Sequence, residues 1–148
     1  MHWILLANAA ATVFMTGLIW FVQVVHYPLF AAVGSAEFPA YSRAHQKLTT
    51  IVVGPPMLVE ALTAAMLLFQ RPAGIPAWSV WAGIGLVAVI WISTALLQVP
   101  AHGRLVSGFD GPVAASLVAT NWIRTAAWTA RAGLVVWMLS RALDAANR

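Results

Sequence analysis

The stretch AWSVWAGIGLVAVIWISTALLQVP, Ala77 to Pro100, runs for 24 residues without one charged side chain. About 20 predominantly apolar residues suffice to cross the hydrocarbon core of a bilayer as a helix. Working outward, the turn 70–76 (QRPAGIP) separates it from an apolar segment over 42–69. The loop 103–112, with Gly108 and Gly111 as breakers, separates it from another over 113–143. A fourth segment covers 4–27. Its start lacks the basic stretch of a signal peptide, so it is read as a retained span. The predicted fold is all-α: an integral membrane, multi-pass four-helix bundle. It forms a single domain over residues 1–148, with both termini on the same side and a second helix kinked at Pro55-Pro56.

Composition agrees with this reading. Of 148 residues, 61% are hydrophobic and 8% charged, whereas a soluble domain carries about 25% charged residues. The net charge of +4 comes from scattered basic residues. No cluster could follow a phosphate backbone, so nucleic acid is not an expected partner. The absence of cysteine excludes disulfides, a thiolate nucleophile and a cysteine metal site. Arg71, Arg141 and Arg148 on one side balance Arg43, Lys47 and Arg104 on the other. The positive-inside rule therefore leaves orientation open, and the reading places the termini inside.

Polar residues within the spans locate a site. Ionisable groups are costly in a bilayer and usually face a bundle interior. Gln23 and His26 are three apart and predict one shared face on the first helix. His45, Thr49, Val52 and Pro56 form a stripe on the second, with Glu60 near its continuation. Gln98 and His102 lie above Thr94 and Trp91 on the third. Asn121, Arg124, Trp128 and Arg131 follow a three-four-three rhythm on the fourth. His26, His45 and His102 all fall at helix ends on one side of the bundle. Imidazole nitrogens suit Cu, Fe or Zn, so this trio is a candidate metal set, although it lacks the spacing of a local metal motif. The competing arrangement is metal-free, with His102 as acid or base and Arg124 and Asn121 stabilising a developing oxyanion. Gln23, Gln98, Trp91 and Trp128 are the candidate substrate-binding residues. Glu60 should pair with Arg124 or Arg131, and an ion-pair layer of Glu60 and Arg131 is expected below the site. Trp3, Trp78 and Trp81 are read as interfacial anchors, with Trp91, Trp122 and Trp128 deeper.

Four strings occur in an order that resembles the anthrone-oxygenase-like family of small four-helix membrane proteins. They are Val25-His26-Tyr27-Pro28, the segment from Tyr41 through His45 to Pro55-Pro56, Val99-Pro100-Ala101-His102-Gly103-Arg104-Leu105, and Trp128-Thr129-Ala130-Arg131. The resemblance covers nearly the whole chain. It implies an oxidoreductase that oxygenates lipophilic aromatic substrates, as relatives are implicated in converting anthrones to anthraquinones without a conventional cofactor. The family's helix-four Trp and Arg correspond to Trp128 and Arg131. Where the family typically has Asn after the helix-three proline, this chain has His102, a departure consistent with a metal-binding branch.

The leading expectation is a membrane-embedded oxygenase or other oxidoreductase. Its partners would be the lipid bilayer and a lipophilic aromatic or quinone-like molecule. A rival is a non-enzymatic binding or transport protein for a metal ion, proton or small lipophile. A continuous polar file from His45 through Glu60 towards Arg71 would favour that rival. A third reading is a structural subunit whose arginines face an absent partner. Gly17, Gly83 and Gly85 would permit close helix contact in a homo-oligomer.

Overall fold

The computed structural model describes residues 2–147, so Arg148 of the charge comparison lies outside the described residues. The chain is helical along nearly all of its length. Helix α1 (His2–Phe21) passes into a π-helical turn, Val22–His26, and then a 3₁₀ turn, Pro28–Ala32. Helix α2 spans Phe38–Phe69 and runs as helix through Pro55-Pro56, whose missing N–H groups free the carbonyls of Ile51 and Val52. Helix α3 (Ala77–Ser93) enters a second π-helical turn, Thr94–Gln98, and continues as α4 (Val99–Leu105). Helix α5, Gly111–Ala146, begins where Asp110 accepts a hydrogen bond from the Val113 amide at 3.0 Å, with Pro112 in its first turn.

Among the described residues, three helical segments are long and apolar enough to cross a membrane: Trp3–Ala32, Phe38–Phe69 and Ala77–Leu105. The sequence reading expects four such spans. Helix α5 is the exception, because Asn121, Arg124, Arg131 and its threonines lower its mean hydropathy. The third segment also does not stop at Pro100. A wide π turn directly before that proline lets the helix proceed to Leu105.

Both π turns have the same origin. A proline cannot donate to the carbonyl four residues back, and its ring would collide with it. Tyr27, which precedes Pro28, instead bonds five back to the Val22 carbonyl at 3.0 Å. Val99, which precedes Pro100, likewise bonds to the Thr94 carbonyl. Each turn adds a residue and rotates the next stretch of chain by roughly 100°.

Helix α1 packs against α2 and α5, and α3 packs against the same two. One apolar cluster holds Phe30, Phe38, Leu105, Leu117 and Trp128, and a second holds Leu5, Leu67, Val80 and Met138. The surface is inverted relative to a water-soluble protein. Ile51, Leu62, Phe69, Leu96 and Leu143 are exposed, whereas Gln23, Glu60, Gln98, Asn121, Arg124 and Arg131 are buried. Glycine is required at Gly74, in the α2–α3 turn at φ 80°, where a Cβ would lie 2.7 Å from the Arg141 carbonyl. The absent side chain lets the end of α5 approach this turn closely.

Candidate functional site

The buried polar residues form two layers separated by Trp128. In the lower layer every strong polar group is matched. Glu60 Oε1 accepts from Arg131 Nε at 2.7 Å and from Thr12 at 2.6 Å, and Glu60 Oε2 accepts from the Trp128 indole at 3.0 Å. Arg131 also donates to the Gly83 carbonyl at 2.6 Å and to Asn8 Oδ1 at 3.0 Å. Asn8 returns a bond to the Glu60 carbonyl at 3.0 Å. Gly83 therefore serves the guanidinium rather than an outward helix contact: a Cβ there would sit 2.9 Å from Arg131 Nη1. The pocket beside this layer measures about 10 Å³, at the threshold for one water. Sequence reasoning missed Asn8 and Thr12, which sit among alanines and resemble ordinary packing positions.

The upper layer is open. Arg124, 8% exposed, lies with its guanidinium 5.8 Å from the centre of the Trp128 ring. Its Nε donates to Asn121 Oδ1 at 3.0 Å and its Nη1 to Thr94 Oγ1 at 3.3 Å. Among the described residues no carboxylate lies within ion-pair distance of it. The two ion pairs are Glu60–Arg131 and the exposed Arg104–Asp110. Asn121 is held by the Gln23 amide oxygen at 2.8 Å; that oxygen also accepts from Thr125 at 3.3 Å, while Gln23 donates to the Val118 carbonyl at 3.1 Å. Gln23 is thus bonded within the protein through both its oxygen and its nitrogen. It positions Asn121, which in turn positions Arg124, instead of facing a substrate as expected.

The π turns explain why Gln23 and His26 do not share a face. Gln23 turns to α5, while His26 turns to α2, where its Nε2 lies 2.8 Å from His45 Nδ1. His45 Nδ1 is also 3.1 Å from the Thr49 hydroxyl, and His102 Nε2 is 2.9 Å from the Tyr27 hydroxyl. The His45 and His102 rings are 5.1 Å apart, and buried Phe30 stands edge-on to all three imidazoles. The three histidines do come together, but His26 Nε2 faces His45 Nδ1 and His102 Nε2 faces Tyr27, instead of a common point. Two nitrogens on one tetrahedral zinc would sit about 3.3 Å apart, given bonds of about 2.0 Å. Among the described residues, no group of three or more His, Cys, Asp or Glu is arranged to hold a metal ion. Tyr27 enters the sequence reading only as part of a string, yet it bridges the histidines to the Arg124 cavity.

An enclosed cavity of about 40 Å³ lies between the layers, lined by Tyr27, His45, Thr49, Arg124 and Trp128. A larger cleft of about 270 Å³ opens between α2 and the third helical segment, lined by His45, Thr49, Thr94, Gln98 and His102. An apolar groove of about 210 Å³ lies on the other side of α2, between it and α1, with His26 at its edge. Trp128 walls the enclosed cavity. Trp91 lines none of these cavities and is 38% exposed, and Trp122 is 48% exposed and packs edge-on against Trp20. Both tryptophans sit on the outward side of their helices, a distinction that depth alone could not make.

Comparisons with protein families, with curated proteins and with solved structures found no match.

Proposed function

We propose that the chain is an integral membrane protein of four spans, with both termini on one side, that acts as an oxygenase on a lipophilic hydroxyaryl ketone. The observation that carries this reading is Arg124, a buried guanidinium without a carboxylate, lining a cavity that also holds Tyr27, His45 and Trp128. A cation in such surroundings is costly unless an anion meets it. An enolate or phenolate formed from an aromatic ketone is a fitting anion, and the exposed leucines and tryptophans give an apolar substrate a route in from lipid. Helix α5 is the fourth span in this reading because its polar residues turn inward.

In the proposed reaction, His102 Nδ1 takes a proton from the ring methylene that is conjugated through the arenes with the carbonyl, while Nε2 stays bonded to Tyr27. Arg124 holds the oxygen of the resulting delocalised anion, and Asn121 fixes the guanidinium. Molecular oxygen, the co-substrate, adds to the carbanion to give a peroxide, which regains the proton. Loss of water then leaves a ketone, so one oxygen atom enters product and the other leaves as water. The resemblance to the anthrone-oxygenase-like family supports the same class of chemistry.

The transport alternative draws less support. The saturated Glu60–Arg131 layer and the small pocket beside it interrupt a polar file from His45 to Arg71. The test is substrate-dependent oxygen uptake by detergent-purified protein with 1,8-dihydroxyanthrone, using ¹⁸O₂ to follow the label. One labelled oxygen per quinone, at a rate well above the spontaneous one, is expected. Uptake equal to the protein-free rate would overturn the reading.

A further inference from the structure

Gln98 is 1% exposed, and its amide oxygen and His102 Nδ1 are the buried side-chain polar atoms without a hydrogen-bond partner among the described residues. Buried polar atoms are nearly always bonded, so an exception calls for a cause. The amide orientation follows from the bonds that Thr120 makes. The Thr120 hydroxyl donates its single proton to the Ser116 carbonyl at 2.7 Å, so towards Gln98 it can only accept. Gln98 Nε2 therefore faces Thr120, at 3.0 Å, and Oε1 remains an acceptor without a donor.

Both orphan atoms belong to residues that line the same cleft between α2 and the third helical segment. Three other polar residues on its walls are engaged within the protein. Thr50 donates to the Gln46 carbonyl and Thr94 to the Ile90 carbonyl, each at 2.7 Å, and Gln46 donates to the His102 carbonyl at 2.9 Å. Thr94 also accepts from Arg124 and so ties the cleft wall to the cation.

We infer that Gln98 is the specificity-determining residue of this site, accepting a hydrogen bond from a hydroxyl group of the substrate that enters through this cleft. This rests on the proposed oxygenase reading and adds to it. The substrate must carry a ring hydroxyl as donor, distinct from the oxygen held by Arg124. A site with a buried acceptor rejects an analogue that lacks the donor, because the acceptor is then left unpaired.

The experiment compares wild type, Gln98→Met and Arg124→Gln. Each is titrated in detergent with 2-hydroxyanthraquinone, whose hydroxyl cannot reach its own carbonyl, and with unsubstituted anthraquinone, and melting temperatures are recorded. Wild type should prefer the hydroxylated probe at least tenfold. Gln98→Met should reduce that preference to less than about twofold while binding the unsubstituted probe as before. Its melting temperature should hold or rise, since an unpaired buried amide oxygen is removed and Thr120 keeps its bond to Ser116. A preference that survives in Gln98→Met, an absent preference in wild type, or a fall of several degrees in melting temperature would overturn the inference. The wider reading fails separately: it does so if anthrone-dependent oxygen uptake is absent or is unchanged in Arg124→Gln, whatever Gln98 does.

Discussion

Arg124 and Arg131 lie seven residues apart on one helix, both buried, and are treated in opposite ways. Arg131 meets a carboxylate, a backbone carbonyl and an amide oxygen, and a glycine on the facing helix clears space for it. Arg124 meets an amide, a hydroxyl and the face of Trp128, with a cavity alongside. The first arrangement completes itself and leaves nothing for a ligand. The second leaves a positive charge for something else to balance. Burial of an arginine therefore says little about its role until its partners are counted.

The largest expected effect comes from breaking the complete layer. Glu60→Ala strands Arg131 without its anion and should cost about 3–5 kcal/mol, read as a large fall in thermal midpoint in detergent. Replacing both members, Glu60→Leu with Arg131→Met, should recover much of that loss, since a buried pair contributes little net stability over apolar packing. Arg124→Gln should do the reverse: a melting temperature within a few degrees of wild type and a loss in turnover of roughly 10²–10³-fold, the range for removal of one oxyanion-stabilising donor. A collapse of folding in Arg124→Gln would erase the contrast between the layers.

Smaller effects sharpen the contrast. Gln23→Leu removes the acceptor for Asn121 and Thr125 and should cost about 1–3 kcal/mol in stability. It should also lower kcat more than it raises KM, because Arg124 would lose its fixed position while the cleft walls stay in place. Trp128→Phe removes the indole donor to Glu60 and should cost about 1.5–3 kcal/mol, the range for a hydrogen bond to a charged group. Smallest of all, Trp91→Ala and Trp122→Ala should leave turnover within about twofold, since surface changes away from special features usually stay within about 0.5 kcal/mol.

Helix α5 is the most legible part of the chain. Its three-four-three rhythm places Asn121, Arg124, Trp128 and Arg131 on one buried face, because an uninterrupted α-helix keeps its phase. Counting along α2 and α5 also sets Glu60 near both arginines in depth; the choice of Arg131 depends on Asn8, Thr12 and Gly83 from two other helices. On the first segment, phase counting fails where the π turn adds a residue; on the third, Thr94, Gln98 and His102 still line one cleft. The signal is present in Tyr27-Pro28 and Val99-Pro100, but a proline after a long apolar run reads equally as a helix end. The histidines converge through these turns as well. Their pairing with one another and with Tyr27 depends on ring orientation, which residue spacing does not encode. The outward position of Trp91 is hidden because Val89, Ile90 and Ile92 beside it are apolar, whereas Trp122 lies off the Asn121, Arg124 and Trp128 stripe in phase.

Under the proposed function, Arg124 awaits an oxyanion. The most direct test of this is the absorbance spectrum of a bound chromophoric phenol, recorded at a pH below the free probe's own pKa. Wild type should hold the probe as the red-shifted phenolate, Arg124→Gln as the neutral phenol, and Trp91→Ala as wild type does. The same neutral spectrum in wild type and Arg124→Gln, with both proteins saturated, would contradict the account.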